Sequence, residues 1–155
     1  MAGTEKKIMT ITVGLPASGK TVWARRAGFD RMVSLDDWRE KLWGDRNIQN
    51  GPGGFDLILA LHNMEIEEAI KKGKSVVIHN TNILRKHRRP LVEMARKAGY
   101  RVRIVYFEVP VEVCRQRNRD RKNPVADEVI DDYAARLEVP DHTEADCIVR
   151  YSNVV

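Results

Sequence analysis

Short apolar runs rich in β-branched residues alternate along this chain with stretches of helical period. The runs predict strands over Lys7–Val13, Arg31–Ser34, Ser75–His79, Arg101–Phe107 and Asp146–Tyr151. Helices are predicted at Lys20–Ala27 and Asp36–Trp43, each followed by a glycine, Gly28 or Gly44, suited to a left-handed helix terminus. The clearest helix is Phe55–Lys72, where Ile58, Leu59, Ile66, Ala69 and Ile70 fall on one stripe and Gly73 closes it. Another spans Arg89–Ala98, with Pro90 in its first turn and Gly99 beyond its end. Val111–Arg121 and Val125–Leu137 add two more, parted by Asn123 and Pro124. This alternation describes an α/β fold, a five-stranded parallel sheet flanked by helices. The stretch Gly44–Gly54 has no period and is rich in Gly, Pro and Asn. It reads as a surface loop long enough to be mobile or functional. Trp38 and Trp43, just before it, read as core residues.

At 155 residues the chain makes one domain, residues 1–155, and not comfortably two. Hydrophobic residues at 43% support a packed core. Apolar runs stop at four to six residues, far short of the roughly 20 that cross a bilayer. The opening MAGTEKK holds no apolar export segment, so a cytoplasmic protein without membrane contact is expected. Cys114 and Cys147 with four histidines give neither a disulfide framework nor metal-ligand spacing. No protein partner can be inferred from these patterns.

Charge changes the picture more through its placement than its sum. The formal net charge is +5, yet residues 85–122 hold 13 Lys/Arg against 4 Asp/Glu. The rest of the chain is net negative and reads as ordinary surface. The positive quarter calls for an anionic partner.

Gly14-Leu-Pro-Ala-Ser-Gly-Lys-Thr21 fits the phosphate-loop pattern completely, after a predicted strand and opening a predicted helix. Gly14 and Gly19 permit turns and close backbone approach. The N–H groups of Pro16-Ala17-Ser18-Gly19 and their neighbours, proline excepted, can then point at phosphate oxygens. The helix N-terminus adds positive charge. Lys20 is placed to reach the β- and γ-phosphates, and the Thr21 hydroxyl to ligate Mg²⁺. The chain carries no N/T-K-x-D motif for guanine, which favours a kinase over a GTPase.

Leu35-Asp36-Asp37-Trp38-Arg39 follows the second strand and lies at the same sheet edge. Asp36 is a candidate to orient a hydroxyl nucleophile and accept its proton. Arg39, three residues on, can grip an anionic group of the acceptor. Asp36 also suits a helix cap, as do Ser34 and Asp37, and Arg39 alone also reads as a surface arginine. The strand Ser75–His79 breaks into Asn80-Thr81-Asn82 at this edge as well. Farther on, Arg115, Arg117, Arg119 and Arg121 recur at every second position. On a helix, Arg117 and Arg121 share one face and Arg115 and Arg119 a neighbouring one. A basic helix before a Lys122-Asn-Pro124 turn suits a lid over ATP, or else a solvated basic face. The cluster around Arg85 and Arg89 has a polyanionic acceptor as its natural partner, met through backbone contacts.

GLPASGKT, LDDWR, NTN and EVPVEVCRQRNRDR occur in this order between about Lys7 and Leu137. Together they resemble the 5′-kinase domain of phage-type polynucleotide kinases, within the P-loop kinase superfamily. The resemblance implies a P-loop kinase fold with a helical lid at about 113–126, using ATP and Mg²⁺. It implies that Asp36 activates the 5′-hydroxyl and that Arg39 contacts the acceptor's phosphate. It also implies that Arg121, with Arg117 on the same face, contacts donor phosphates. Thr81, with Asn82 and Arg85 nearby, is implied to line the acceptor site. Asn80 stands where an acidic residue often closes the third strand, with His79 before it. Metal support then falls to Thr21, ATP phosphates and water, with Asp37 as a further candidate. No D-x-D-x-T motif follows, so no 3′-phosphatase activity is expected.

The leading reading is an ATP-dependent kinase acting on the 5′-hydroxyl end of DNA or RNA. Two others compete. One is a small-molecule kinase acting on a nucleoside, sugar or antibiotic. The other is a nucleotide-gated nucleic-acid-binding module.

Overall fold

The computed structural model describes residues 7–152. The opening segment read for export signals lies almost wholly outside them. Five strands, β1 (Ile8–Val13), β2 (Arg31–Val33), β3 (Val76–Ile78), β4 (Arg101–Phe107) and β5 (Cys147–Tyr151), form one sheet in the order β2-β3-β1-β4-β5. Every pairing is parallel. The connecting helices are α1 (Lys20–Ala27), α2 (Leu35–Trp43), α3 (Gly54–Lys71), α4 (Arg85–Lys97), α5 (Val111–Arg119) and α6 (Asp127–Arg136).

Side-chain alternation divides the core between the two faces of the sheet. Met9, Ile11 and Val13 of β1 and Val102, Ile104 and Tyr106 of β4 join Ile66 and Ala69 of α3 and Leu91, Val92 and Ala95 of α4. Val105 and Phe107 point the other way, to Cys114 of α5 and Ile130 of α6, with Trp23 and Tyr133 packed on them. Thr10 and Thr12 hold the alternate positions of β1 and are fully buried. Thr12 Oγ1 donates to the Asn80 carbonyl at 2.9 Å, and Thr10 Oγ1 accepts from Arg103. Polar side chains thus sit inside the sheet without being orphaned.

Three expectations about the helices need correction. Leu59 is 38% exposed. The inward stripe of α3 instead runs Ile58, His62, Ile66, Ala69. Helix α4 starts at Arg85, four residues early, so Pro90 lies inside it rather than in the first turn. With no N–H, Pro90 leaves the Lys86 carbonyl without its helical donor. Lys86 is exposed, so water can replace that bond. Helix α5 stops at Arg119 rather than Arg121. Asn118 ends it by a reciprocal pair: its Nδ2 donates to the Val125 carbonyl at 2.7 Å, and its Oδ1 accepts from Val125 N at 3.0 Å.

Trp38 and Trp43 are half-buried outside both core clusters. Trp38 Nε1 donates to Glu65 at 3.0 Å, and Trp43 Nε1 to the Pro52 carbonyl at 2.9 Å. A Cβ on Gly51 would come within 2.3 Å of the Trp43 ring. The Gly44–Gly54 loop is therefore wrapped onto Trp43, and its glycine permits that contact.

Candidate active site

Parallel strands deliver the segments after β1, β2 and β3 to one edge, where the lid after β4 meets them. They enclose a cavity of about 570 Å³. Pro16, Ala17, Gly19, Lys20 and Thr21 line its floor. Ala17 (φ 64°) and Gly19 (φ 100°) adopt left-handed backbone within the loop. Gly14 lies beneath, where a Cβ would stand 2.7 Å from Ser18 Oγ and 2.9 Å from Phe107 Cβ. Its N–H donates to the Thr81 carbonyl at 3.0 Å, tying the loop to the end of β3.

Lys20 is buried, and its Nζ donates to the Leu15 carbonyl at 2.6 Å and to Ser18 Oγ at 3.2 Å. Burial pushes its ammonium down to about 7, with nearby Arg121 adding to the shift against Cys114 and Asp36. A desolvated cation at a helix start, beside a left-handed backbone turn, fits an ATP phosphate. Thr21 lines the same cavity. Among the described residues no group of three or more His, Cys, Asp or Glu gathers for a metal. A Mg²⁺ held here would take Thr21 as its protein donor and complete its shell with phosphate oxygens and water.

Ser34, not Asp36, caps α2: its Oγ accepts from Asp37 N at 3.0 Å. Asp36 is left to the cavity. Arg39 Nη1 donates to Asp36 Oδ1 at 2.9 Å, and its guanidinium lies 5.6 Å from the Phe55 ring. The Arg39 side chain is only 11% exposed, so it is no ordinary surface arginine. Its Nε is buried without a partner. Arg46 has the same unmatched Nε and reaches the cavity from the Gly44–Gly54 loop. It donates to Asp37 Oδ1 at 3.1 Å and to Glu40 Oε2 at 3.4 Å.

The lid divides its arginines as expected, although Arg121 lies in the turn beyond α5 and not on the helix face shared with Arg117. Arg117 and Arg121 line the cavity. Burial, then the neighbouring Arg46, lower the Arg121 guanidinium from its usual value while Asp36 opposes. Arg115 and Arg119 turn away to pair with Asp131 and Asp127 of α6.

Thr81 lines the cavity, but Asn82 and Arg85 do not. Asn82 is buried with φ 45°, and its Nδ2 donates to the Thr12 carbonyl at 2.9 Å. It holds the segment after β3 against β1. Arg85 pairs with Asp141 and Glu144. Arg88, wholly buried, forks onto Glu144 at 2.8 and 3.2 Å and donates to the Asn82 carbonyl at 2.8 Å. The net-negative remainder is therefore not plain surface. Residues 127–144 hold seven Asp/Glu against one Arg, and four of those acids are paired with the basic quarter.

A family model described as an AAA domain (AAA_33) matches residues 9–140. The chain belongs to this family. Two curated relatives of the AAA domain chain are L-seryl-tRNA(Sec) kinase of Methanococcus maripaludis and a protein KTI12 homolog of Arabidopsis thaliana. The first is 24% identical over 148 residues, covering 86% of this chain and 53% of the relative. The second is 26% identical over 145 residues, covering 86% and 48%. The chain thus spans about half the length of the curated relatives it matches. A chain of the Pnkp1/Rnl/Hen1 RNA repair complex shares the fold with TM-score 0.73 at 21% identity, over 88% of this chain and 45% of that one. The AAA domain here has the P-loop kinase architecture, and its family implies ATP binding. Among the described residues no helix is long and apolar enough to cross a membrane.

Several cavity residues were not singled out from the sequence. Arg46, Asn47 and Gln49 come from a loop whose signals, length and Gly, Pro and Asn content, point to no particular residue. Phe55 was read as the start of a helix, yet it underlies Arg39. Asn80 lines the cavity, but its side chain is already engaged. Its Oδ1 accepts from Leu35 N at 2.7 Å, and its Nδ2 lies 3.0 Å from His62 Nε2.

Proposed function

We propose that this chain is an ATP-dependent kinase transferring the γ-phosphate of ATP to the 5′-hydroxyl end of DNA or RNA. The observation that carries this reading is the setting of Asp36. It is bonded to Arg39 and lies within electrostatic reach of both Lys20 and Arg121. A carboxylate so placed orients an acceptor hydroxyl and takes its proton, while Lys20, Arg117 and Arg121 hold donor phosphates. Arg39 and Arg46 bring guanidinium groups to the cavity for the acceptor's own phosphate, with Thr81 also on its wall. The likeness to a chain of an RNA repair complex supports a nucleic-acid acceptor. Mg²⁺ enters as the partner of ATP at Thr21.

A second reading is favoured by the seryl-tRNA kinase match: the hydroxyl is carried by an aminoacyl group on RNA. One assay separates these readings. The protein is incubated with labelled ATP, Mg²⁺ and a 5′-hydroxyl oligonucleotide, seryl-tRNA, or a panel of nucleosides and sugars. Label on the oligonucleotide that disappears with Asp36→Asn supports the proposal. Label confined to seryl-tRNA supports the second reading, and label confined to small molecules defeats both. Oligonucleotide binding without transfer to any acceptor indicates a binding module.

A further inference from the structure

The end of β3 carries a buried histidine that the kinase chemistry above does not use. His79 is 4% exposed and sits between two groups of the site. Its Nδ1 lies 3.1 Å from Thr21 Oγ1. Its Nε2 lies 3.3 Å from Asp37 Oδ2, off the ideal hydrogen-bond line. Asp37 is fixed in turn by the Ser34 cap on its backbone and by Arg46 on its other oxygen. The sequence Arg46, Asp37, His79, Thr21 therefore runs from the loop after α2 to the phosphate cradle through side-chain contacts alone.

We propose that His79, oriented by Asp37, is the positioning residue that sets the Thr21 hydroxyl for the cation accompanying ATP. This rests on the nucleotide-phosphate reading of the loop, but not on which acceptor is phosphorylated. The chemistry follows from donors and acceptors. An ionised carboxylate only accepts, so the ring nitrogen facing Asp37 is the one that carries hydrogen. In the neutral ring Nδ1 is then a lone-pair acceptor, and the Thr21 O–H is the donor available to it. With its hydrogen turned toward His79, the Thr21 oxygen presents its lone pairs to the cavity, the orientation a cation ligand needs. Hydrogen bonds from outside the ligand shell are a recurrent way of fixing the geometry of a ligating group.

This arrangement also accounts for the missing acid after β3. Asn80 occupies that position but is bound to Leu35 N and His62, which fixes α2 to the sheet. The carboxylate comes instead from the neighbouring segment: Asp37 of α2 acts one residue removed, through His79. Nearby charges agree. The His79 contact, followed by Ser34 and Arg46, holds the Asp37 carboxyl down at about 2 against the opposing effect of burial.

The test is ADP affinity measured by calorimetry with and without Mg²⁺, so no acceptor or turnover is involved. The unsubstituted protein is expected to bind ADP more tightly with Mg²⁺ present. In His79→Ala and Asp37→Asn that Mg²⁺-dependent gain should shrink about tenfold, while Mg²⁺-free ADP affinity stays within about twofold. His79→Gln should recover part of the gain, since its amide can accept from Thr21 and donate to Asp37. Thermal melts confirm that each variant is folded, and His79→Gln keeps the test open where the alanine variant is not. An unchanged Mg²⁺ gain in folded His79→Ala or Asp37→Asn overturns the proposal. So does an equal loss of ADP affinity with and without Mg²⁺, which marks a purely structural histidine. If the unsubstituted protein binds no ADP at all, the proposal falls together with the phosphate-loop reading. A failed oligonucleotide assay with normal Mg²⁺ coupling would remove only the acceptor assignment.

Discussion

Asn47 Nδ2 donates to the Asn123 carbonyl at 3.1 Å, joining the loop after α2 to the lid loop across the mouth of the cavity. The loop after α2 and the lid are thus in contact through an exposed hydrogen bond. Such a bond contributes about 0.5–1.5 kcal/mol. Asn47→Ala should therefore raise the KM for ATP about two- to tenfold while leaving kcat less affected. Steady-state kinetics checks this, and an unchanged KM would show that the bond does not hold the lid.

Lys20 stands at the other extreme of burial. It is desolvated, and its nearest partners are the loop's own carbonyl and a serine hydroxyl. Lys20→Met should abolish phosphoryl transfer, by ~10²-fold or more. It should also raise the melting temperature, because a poorly matched buried cation is replaced by an apolar chain of similar length. A gain of ~1 kcal/mol corresponds to about 2–4 °C. Calorimetric melts without nucleotide check the second half.

Asp36 and Arg39 are bonded, yet their losses should be read in different parameters. Asp36→Asn is expected to lower kcat by ~10²–10⁴-fold. Arg39→Ala should raise the oligonucleotide KM more than the ATP KM. An equal effect on both substrates would remove Arg39 from the acceptor subsite.

The Arg85 and Arg88 pairs give a test of stability rather than activity. Glu144 is nearly buried and is the fork partner of wholly buried Arg88. Glu144→Ala strands that guanidinium and should cost about 3–5 kcal/mol in urea unfolding. Asp141 is different: bonds from Thr143, then from Arg85, hold its carboxyl down at about 2. Its folded value lies below its ordinary one near 3.8. Its contribution is therefore complete above about pH 4 and is lost as pH falls through about 2. Urea midpoints should drop on acidification less steeply in Asp141→Asn than in the unsubstituted protein.

Much of the candidate site's arrangement could be read in advance because its residues are local in sequence. The phosphate loop is one contiguous turn between a strand and a helix. Asp36 and Arg39 are three residues apart, and Arg115, Arg117 and Arg119 divide by helical period, whereas Arg121 reaches the cavity from the turn after α5. What escaped depends on partners far along the chain. Arg85 looked like a nucleic-acid contact because its acids lie 56 and 59 residues away, beyond α6. Arg46 belongs to an aperiodic loop and acquires its place from Asp37 and Glu40. Helix α4 opens at Leu84, which has no side-chain cap to announce it. Trp43 looked like core by hydrophobicity alone, but it serves as the post around which the loop is wound.

The acidic stretch from 127 to 144 acts as a built-in counterion for the flank of the molecule. Arg85, Arg88, Arg115 and Arg119 have their fields closed locally by it. The cations that line the cavity, Lys20, Arg39, Arg46, Arg117 and Arg121, are concentrated in the cleft. A polyanion lying along α4 still meets the exposed Lys86, Arg89, Arg96 and Lys97, which attract it without distinguishing an end from a length. One that enters end-first meets the focused potential of a low-dielectric cleft. On the proposed function, the cleft adds to that general attraction a field that acts on an end.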